Sequence, residues 1–101
     1  MERFSKQLRD GVKAFGYSVY ISIEQDDTMC FLITDGDHDR TYRVNAEDTN
    51  KLLNAVGGLD NLVAKFPTNN EKTDEYIKIF ETLCKEHSIE YTYSSWLSGF
   101  R

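Results

Sequence analysis

A chain of 101 residues with one proline, six glycines and 40% hydrophobic content has the size of a single domain, which excludes a multidomain enzyme. Aromatic residues at 13% supply bulk for a packed core, and charged residues at 29% sit near the ordinary globular value, so wholesale disorder is excluded as well. Twelve Lys and Arg against 17 Asp and Glu leave a net charge of −5, which disfavours direct contact with nucleic acid, because phosphates are repelled unless the few cations gather in one place.

Phe4, Leu8, Val12 and Phe15 recur at steps of four, four and three, a spacing that predicts a helix from about Glu2 to Phe15 with Gly16 as its stop. Gly11 inside that helix costs roughly 1 kcal/mol relative to Ala, which points to a close approach to another backbone. From Tyr17 the period changes. Val19, Ile21 and Ile23 alternate with Ser18, Tyr20, Ser22 and Glu24, as a half-buried strand requires. Gln25 to Thr28 makes a hairpin loop, and Met29 to Thr34, apolar almost throughout, reads as a central strand covered on both faces. Asp35 to Asp39 turns the chain again, and Thr41 to Val44 supplies the third strand of an antiparallel meander.

Asn45 or Asp48 can cap a helix carrying Leu52, Leu53 and Val56, which Gly57-Gly58 ends. Leu59, Leu62, Val63 and Phe66 continue the helical spacing until Pro67 and the polar run Thr68 to Lys72 break it. Thr73 then caps a longer helix with Tyr76, Ile77, Phe80, Leu83 and Cys84 on one face. Ile89, Tyr91 and Tyr93 alternate with Glu90, Thr92 and Ser94 and suit a short C-terminal strand, from which Trp96 to Arg101 trails. The expected architecture is therefore α+β in one domain over 1–101: an N-terminal helix, a three-stranded antiparallel meander, then two or three helices packed on one face.

The search for chemistry mostly returns absences. Cys30 and Cys84 sit in apolar patterns without a neighbouring cysteine, so two buried thiols are expected, with no disulfide or metal site. Asp35, Asp37 and Asp39 have the spacing that opens a calcium loop, but Arg40 stands where glycine is needed and Ala46 where a bidentate Glu is needed. His38 and His87 have no nucleophile or metal partner at a recognisable spacing, and Gly57-Gly58 lacks the Lys of a phosphate loop. We expect no catalytic residue, cofactor or metal. No segment approaches the roughly 18 apolar residues of a membrane span, and the amphipathic start differs from a signal peptide, so a cytoplasmic protein without membrane contact is expected.

Charge carries more information than motif. Between Glu24 and Asp48, eight carboxylates face only Arg40 and Arg43, a local balance of −6 that leaves +1 for the remainder. Concentrated charge of one sign steers a complementary surface, so the natural partner is a protein with a basic face. The α-βββ-α order expected for Met1 to Val56 is similar to that of a double-stranded RNA-binding domain, but Ala46 to Lys51 carries Glu47 and Asp48 where that family places phosphate-gripping lysines. The same observation inverted suggests an inhibitor, whose spaced carboxylates compete with nucleic acid for Lys and Arg. In size, acidity and element order the chain resembles small anti-CRISPR and other anti-defence proteins of phages and mobile elements, with no motif matched. An immunity protein against a basic toxin would use the same physics. Asp26, Asp27, Asp35, Asp37, Asp39, Glu47 and Asp48 are the residues expected to bind.

A second surface competes. Tyr91, Tyr93, Trp96 and Phe100 fall within ten residues, and Tyr20 projects from the polar face of its strand. Large aromatics are frequent interface anchors, which allows an accessory or self-associating protein, including a homodimer. The competing expectation is that Tyr91 and Trp96 close the core beside the Val19–Ile23 strand. A small enzyme with an unrecognised carboxylate or histidine site is the third reading.

Overall fold

A computed structural model describes residues 2–11, 16–35, 38–67 and 73–97. Five strands, β1 (Glu2–Arg9), β2 (Ser18–Glu24), β3 (Met29–Thr34), β4 (His38–Val44) and β5 (Thr92–Leu97), form one sheet. The spatial order is β1-β2-β3-β4-β5, and each neighbouring pair is antiparallel. Between β4 and β5 run α1 (Ala46–Val56), α2 (Leu59–Ala64) and α3 (Thr73–Glu86).

The register sorts the sheet into two chemically distinct faces. Ile21, Phe31, Tyr42 and Tyr93 lie opposite one another across four strands, flanked by Val19 with Ile33 and by Ile23 with Met29 and Val44. This face packs against the helices, and the ring of Phe31 anchors it. Phe31 stacks on Phe80 of α3 with centroids 4.6 Å apart and on Phe66 at 5.6 Å. Tyr76, Phe80 and Leu83 face inward at helical spacing, together with Leu52 of α1 and Leu62 of α2. Tyr76 is fully buried, and its hydroxyl donates to the Leu8 carbonyl at 3.4 Å, which ties α3 to β1.

The expectation of an N-terminal helix is wrong: the chain begins with β1. Phe4 and Leu8 are four residues apart, a step that returns to the same face of a strand and lies only about 40° off the same face of a helix, so the spacing suits both. Lys6 is the residue that hides the alternation. It shares the helix-side face, opposite Ile21, yet remains exposed. Val12 to Phe15 lie outside the described residues. Gly11 does meet another backbone, as its placement suggests: a Cβ there would stand 2.4 Å from the Gly16 carbonyl oxygen and 2.9 Å from the Ser18 nitrogen. With β1 in place of a helix, the order shared with double-stranded RNA-binding domains no longer holds.

Two further expectations change. Met29 to Thr34 is central, but it is covered on one face only, because Cys30 and Leu32 look toward the uncovered side with Ser22, Tyr20, Thr41 and Arg43. The C-terminal strand exists as β5, yet it pairs with β4 rather than lying beside the Val19–Ile23 strand, so the meander has five strands and not three. The helices do gather on one face. Asn45 caps α1 by accepting from the Asp48 amide at 2.8 Å, and Gly57 ends it at φ 92°, a conformation that favours glycine.

Candidate functional site at the α1 end of the sheet

In an up-and-down meander, alternate turns fall at opposite ends of the sheet, and this divides the acidic residues. The β2–β3 turn and the start of α1 share one end, because Met29 of β3 pairs with Val44 of β4 there. The β3–β4 turn lies at the other, roughly 17 Å away at the strand rise of about 3.4 Å per residue. Asp26, Asp27, Glu47 and Asp48 therefore gather at the α1 end, while Asp35 and Asp39 sit at the opposite end. Asp37 lies outside the described residues.

The α1 end also gains acids outside the seven residues expected to bind. Asp48 accepts the Glu90 backbone amide at 2.9 Å, which brings Glu90 beside α1 across 42 residues of sequence. Glu24 closes β2 at the same end and is held by Arg43 at 3.2 Å. A cleft of about 270 Å³ opens between these segments, lined by Thr28, Arg43, Asn45, Glu90, Tyr91 and Thr92. Asp26 accepts from the Thr28 amide at 3.0 Å, and that bond, with a smaller contribution from the Arg43 charge, holds its carboxyl below the usual carboxylate range. Lys51 donates to the Ser88 carbonyl at 3.1 Å nearby. Glu24, Asp26, Asp27, Glu47, Asp48 and Glu90 thus share this end with Arg43 and Lys51, and Asp26 and Asp48 are fixed by backbone amides. No sequence signal could have supplied Glu90, whose place depends on how α3 returns the chain to the sheet.

At the opposite end, Asp35 accepts from the His38 amide at 2.8 Å, and Thr34 donates to Asp39. Basic groups are close by. Arg9 donates to the Tyr17 carbonyl at 2.6 Å, and the Arg40 guanidinium lies 5.0 Å from the Tyr17 ring centre. His38 Nε2 and Ser95 Oγ are 2.8 Å apart. Ser95 is exposed, so this pair lacks the enclosure in which fixed dipoles stabilise a developing charge.

The aromatic candidates do not share one surface. Tyr20 lies on the uncovered face, where it accepts a hydrogen bond from Gln7 at 3.2 Å. Tyr91 and Tyr93 lie against Tyr42 on the helix side, 36% and 50% exposed. Trp96 is a residue of β5 opposite Asp39, and Phe100 falls outside the described residues. Both cysteines are buried, as their apolar settings suggest, and the sheet separates them. Cys30 donates to Glu24 at 3.3 Å on the uncovered face. Burial pushes the Cys84 thiol up to about 12, with smaller contributions from Glu81 and Asp48. Among the described residues no three His, Cys, Asp or Glu side chains converge as a metal would require, and no helix is long and apolar enough to cross a membrane. Comparison with family models, curated proteins and solved structures finds no match for this chain.

Proposed function

We propose that the protein is a non-enzymatic binding module that inhibits a basic, nucleic-acid-handling partner, in the manner of an anti-defence or immunity protein. One observation supports this reading: Glu24, Asp26, Asp27, Glu47, Asp48 and Glu90 come from separate segments to one end of the sheet, where Arg43 and Lys51 also lie. Carboxylates presented from a turn, a helix start and a strand start form a two-dimensional array, as a phosphate backbone does, and can occupy the same Lys and Arg side chains. Asp26 and Asp48 are already ordered by backbone amides, so binding costs little further loss of side-chain freedom there. Long-range attraction accelerates encounter, and salt weakens it.

The test is an affinity pull-down from the source cell at low and moderate salt, with the bound protein identified by mass spectrometry. The bait is either the natural chain or a variant with Asp26→Asn, Asp27→Asn, Glu47→Gln and Asp48→Asn, substitutions that keep the acceptor oxygens. Capture of a basic protein that added salt and the fourfold variant both abolish is the expected result. A partner that the variant still captures, or one indifferent to salt, overturns the reading.

A further inference from the structure

The sheet face turned away from the helices is hollow near its middle. Ser22 of β2 and Cys30 of β3 pair across the strands there, with Ser5 of β1 and Arg43 of β4 opposite them in turn. Two small side chains thus stand among longer ones, because Tyr20 and Glu24 flank Ser22 from opposite directions along β2 and Leu32 follows Cys30 on β3. The result is a concavity of about 400 Å³, within the range of small-molecule sites. Ser22 and Cys30 form its floor and are only 8% and 7% exposed. The Ser22 hydroxyl meets no hydrogen-bond partner among the described residues, although a polar group so deeply placed is ordinarily paired. The walls differ in chemistry. Tyr20 and Leu32 supply an apolar side. On the other side Arg43 Nη1 at 3.2 Å and Cys30 Sγ at 3.3 Å both donate to Glu24 Oε2, which leaves the second carboxylate oxygen and the remaining guanidinium donors for a ligand.

We propose that this concavity binds a neutral sugar of monosaccharide size. Beside a carboxylate held 3.2 Å from a guanidinium, a charged ligand group meets one attractive and one repulsive partner, so neither an anion nor a cation is favoured. A neutral group that both donates and accepts gains from both partners, and neighbouring hydroxyls of a sugar do so. The flat amide edge of a nucleobase would engage the ion pair alone. Hydroxyls on several edges of a sugar ring also reach Ser5, Ser22 and Thr41, which line the same hollow, and they give the Ser22 hydroxyl its missing partner. The C–H face of the ring rests against Tyr20 and Leu32. A ligand of so few atoms binds weakly, and a dissociation constant of about 0.1–10 mM is expected. This inference does not depend on the proposed function.

The test is an amide chemical-shift titration of the purified full chain with D-glucose, D-galactose and D-mannose in turn, up to about 50 mM, a range that brackets such weak binding. Uridine and sodium acetate serve as the comparison ligands. At least one hexose should give saturable shifts centred on Ser22, Cys30 and Arg43, with binding at least about tenfold tighter than that of uridine or acetate. Ser22→Ala and Arg43→Gln, which each remove one polar partner and leave the strands paired, should each weaken that hexose at least about threefold. Absence of saturable shifts with all three hexoses overturns the proposal, as do shifts centred elsewhere, uridine or acetate binding as tightly as the best hexose, or hexose binding that either variant leaves unchanged.

Discussion

The two ends of the sheet differ in charge although the same acidic stretch of sequence supplies both. The α1 end brings Glu24, Asp26, Asp27, Glu47, Asp48 and Glu90 together beside Arg43 and Lys51, whereas the opposite end sets Asp10, Asp35 and Asp39 among Arg9, Arg40 and His38. The cause is topological. Consecutive turns of a meander alternate between ends, so charges adjacent in sequence are separated by a strand length, while Glu90 joins the cluster from 42 residues away through Asp48. A linear charge run therefore identifies acidity but not a surface. The surface follows from which turns the topology brings together.

The largest effect should come from removing the ring that packs the sheet, and so both its ends, on the helix layer. Phe31 is fully buried beneath the sheet between Phe66 and Phe80, so Phe31→Ala should cost about 3–5 kcal/mol in denaturant unfolding and disturb both ends. A smaller loss would show that the helix layer is not what holds the sheet. At the α1 end, Thr49 donates to the Val44 carbonyl at 3.1 Å in a buried position. Thr49→Val removes that bond while the Val44 carbonyl still faces Met29 in the ladder, and a loss of about 1 kcal/mol is expected. Asn45→Ala removes the α1 cap and should cost about 1 kcal/mol, with amide exchange quickening over Ala46 to Thr49. Asp39→Asn at the opposite end should change stability by less than about 0.5 kcal/mol, since an amide oxygen still accepts from Thr34.

The pH response is smaller in scope and its sign is fixed. The unfolded chain releases the Cys84 proton near pH 9, while the native thiol keeps it until about pH 12. The stability that Cys84 contributes is fully present below pH 9 and is lost as pH rises to about 12. Unfolding measured across that window should show a steeper alkaline decline for the natural chain than for Cys84→Ala. Asp48→Asn should soften the decline slightly, because the Asp48 charge contributes to the shift.

Much of the fold was legible in the sequence. The alternation of Val19, Ile21 and Ile23, the turn residues around Asp26 and the helical spacing of Tyr76, Phe80 and Leu83 each follow one period cleanly. The first strand was not legible, because a four-residue step satisfies both periods and Lys6 breaks the two-residue one. The uncovered face was misread at Met29–Thr34 because Leu32 is apolar although it lines a concavity of about 400 Å³ open to solvent. For the site, residue type could be read but not position: Asp26, Asp27, Glu47 and Asp48 meet, Asp35 and Asp39 do not join them, and Glu90 had no local sign of its role.

The most direct test compares the two ends against the partner recovered by pull-down, using titration calorimetry at low salt. Neutralising Asp26, Asp27, Glu47 and Asp48 should weaken binding by more than about a hundredfold, and Asp35→Asn with Asp39→Asn should stay within about threefold of the natural chain. Equal losses from both ends, or a larger loss from the opposite end, would contradict an interface built at the start of α1.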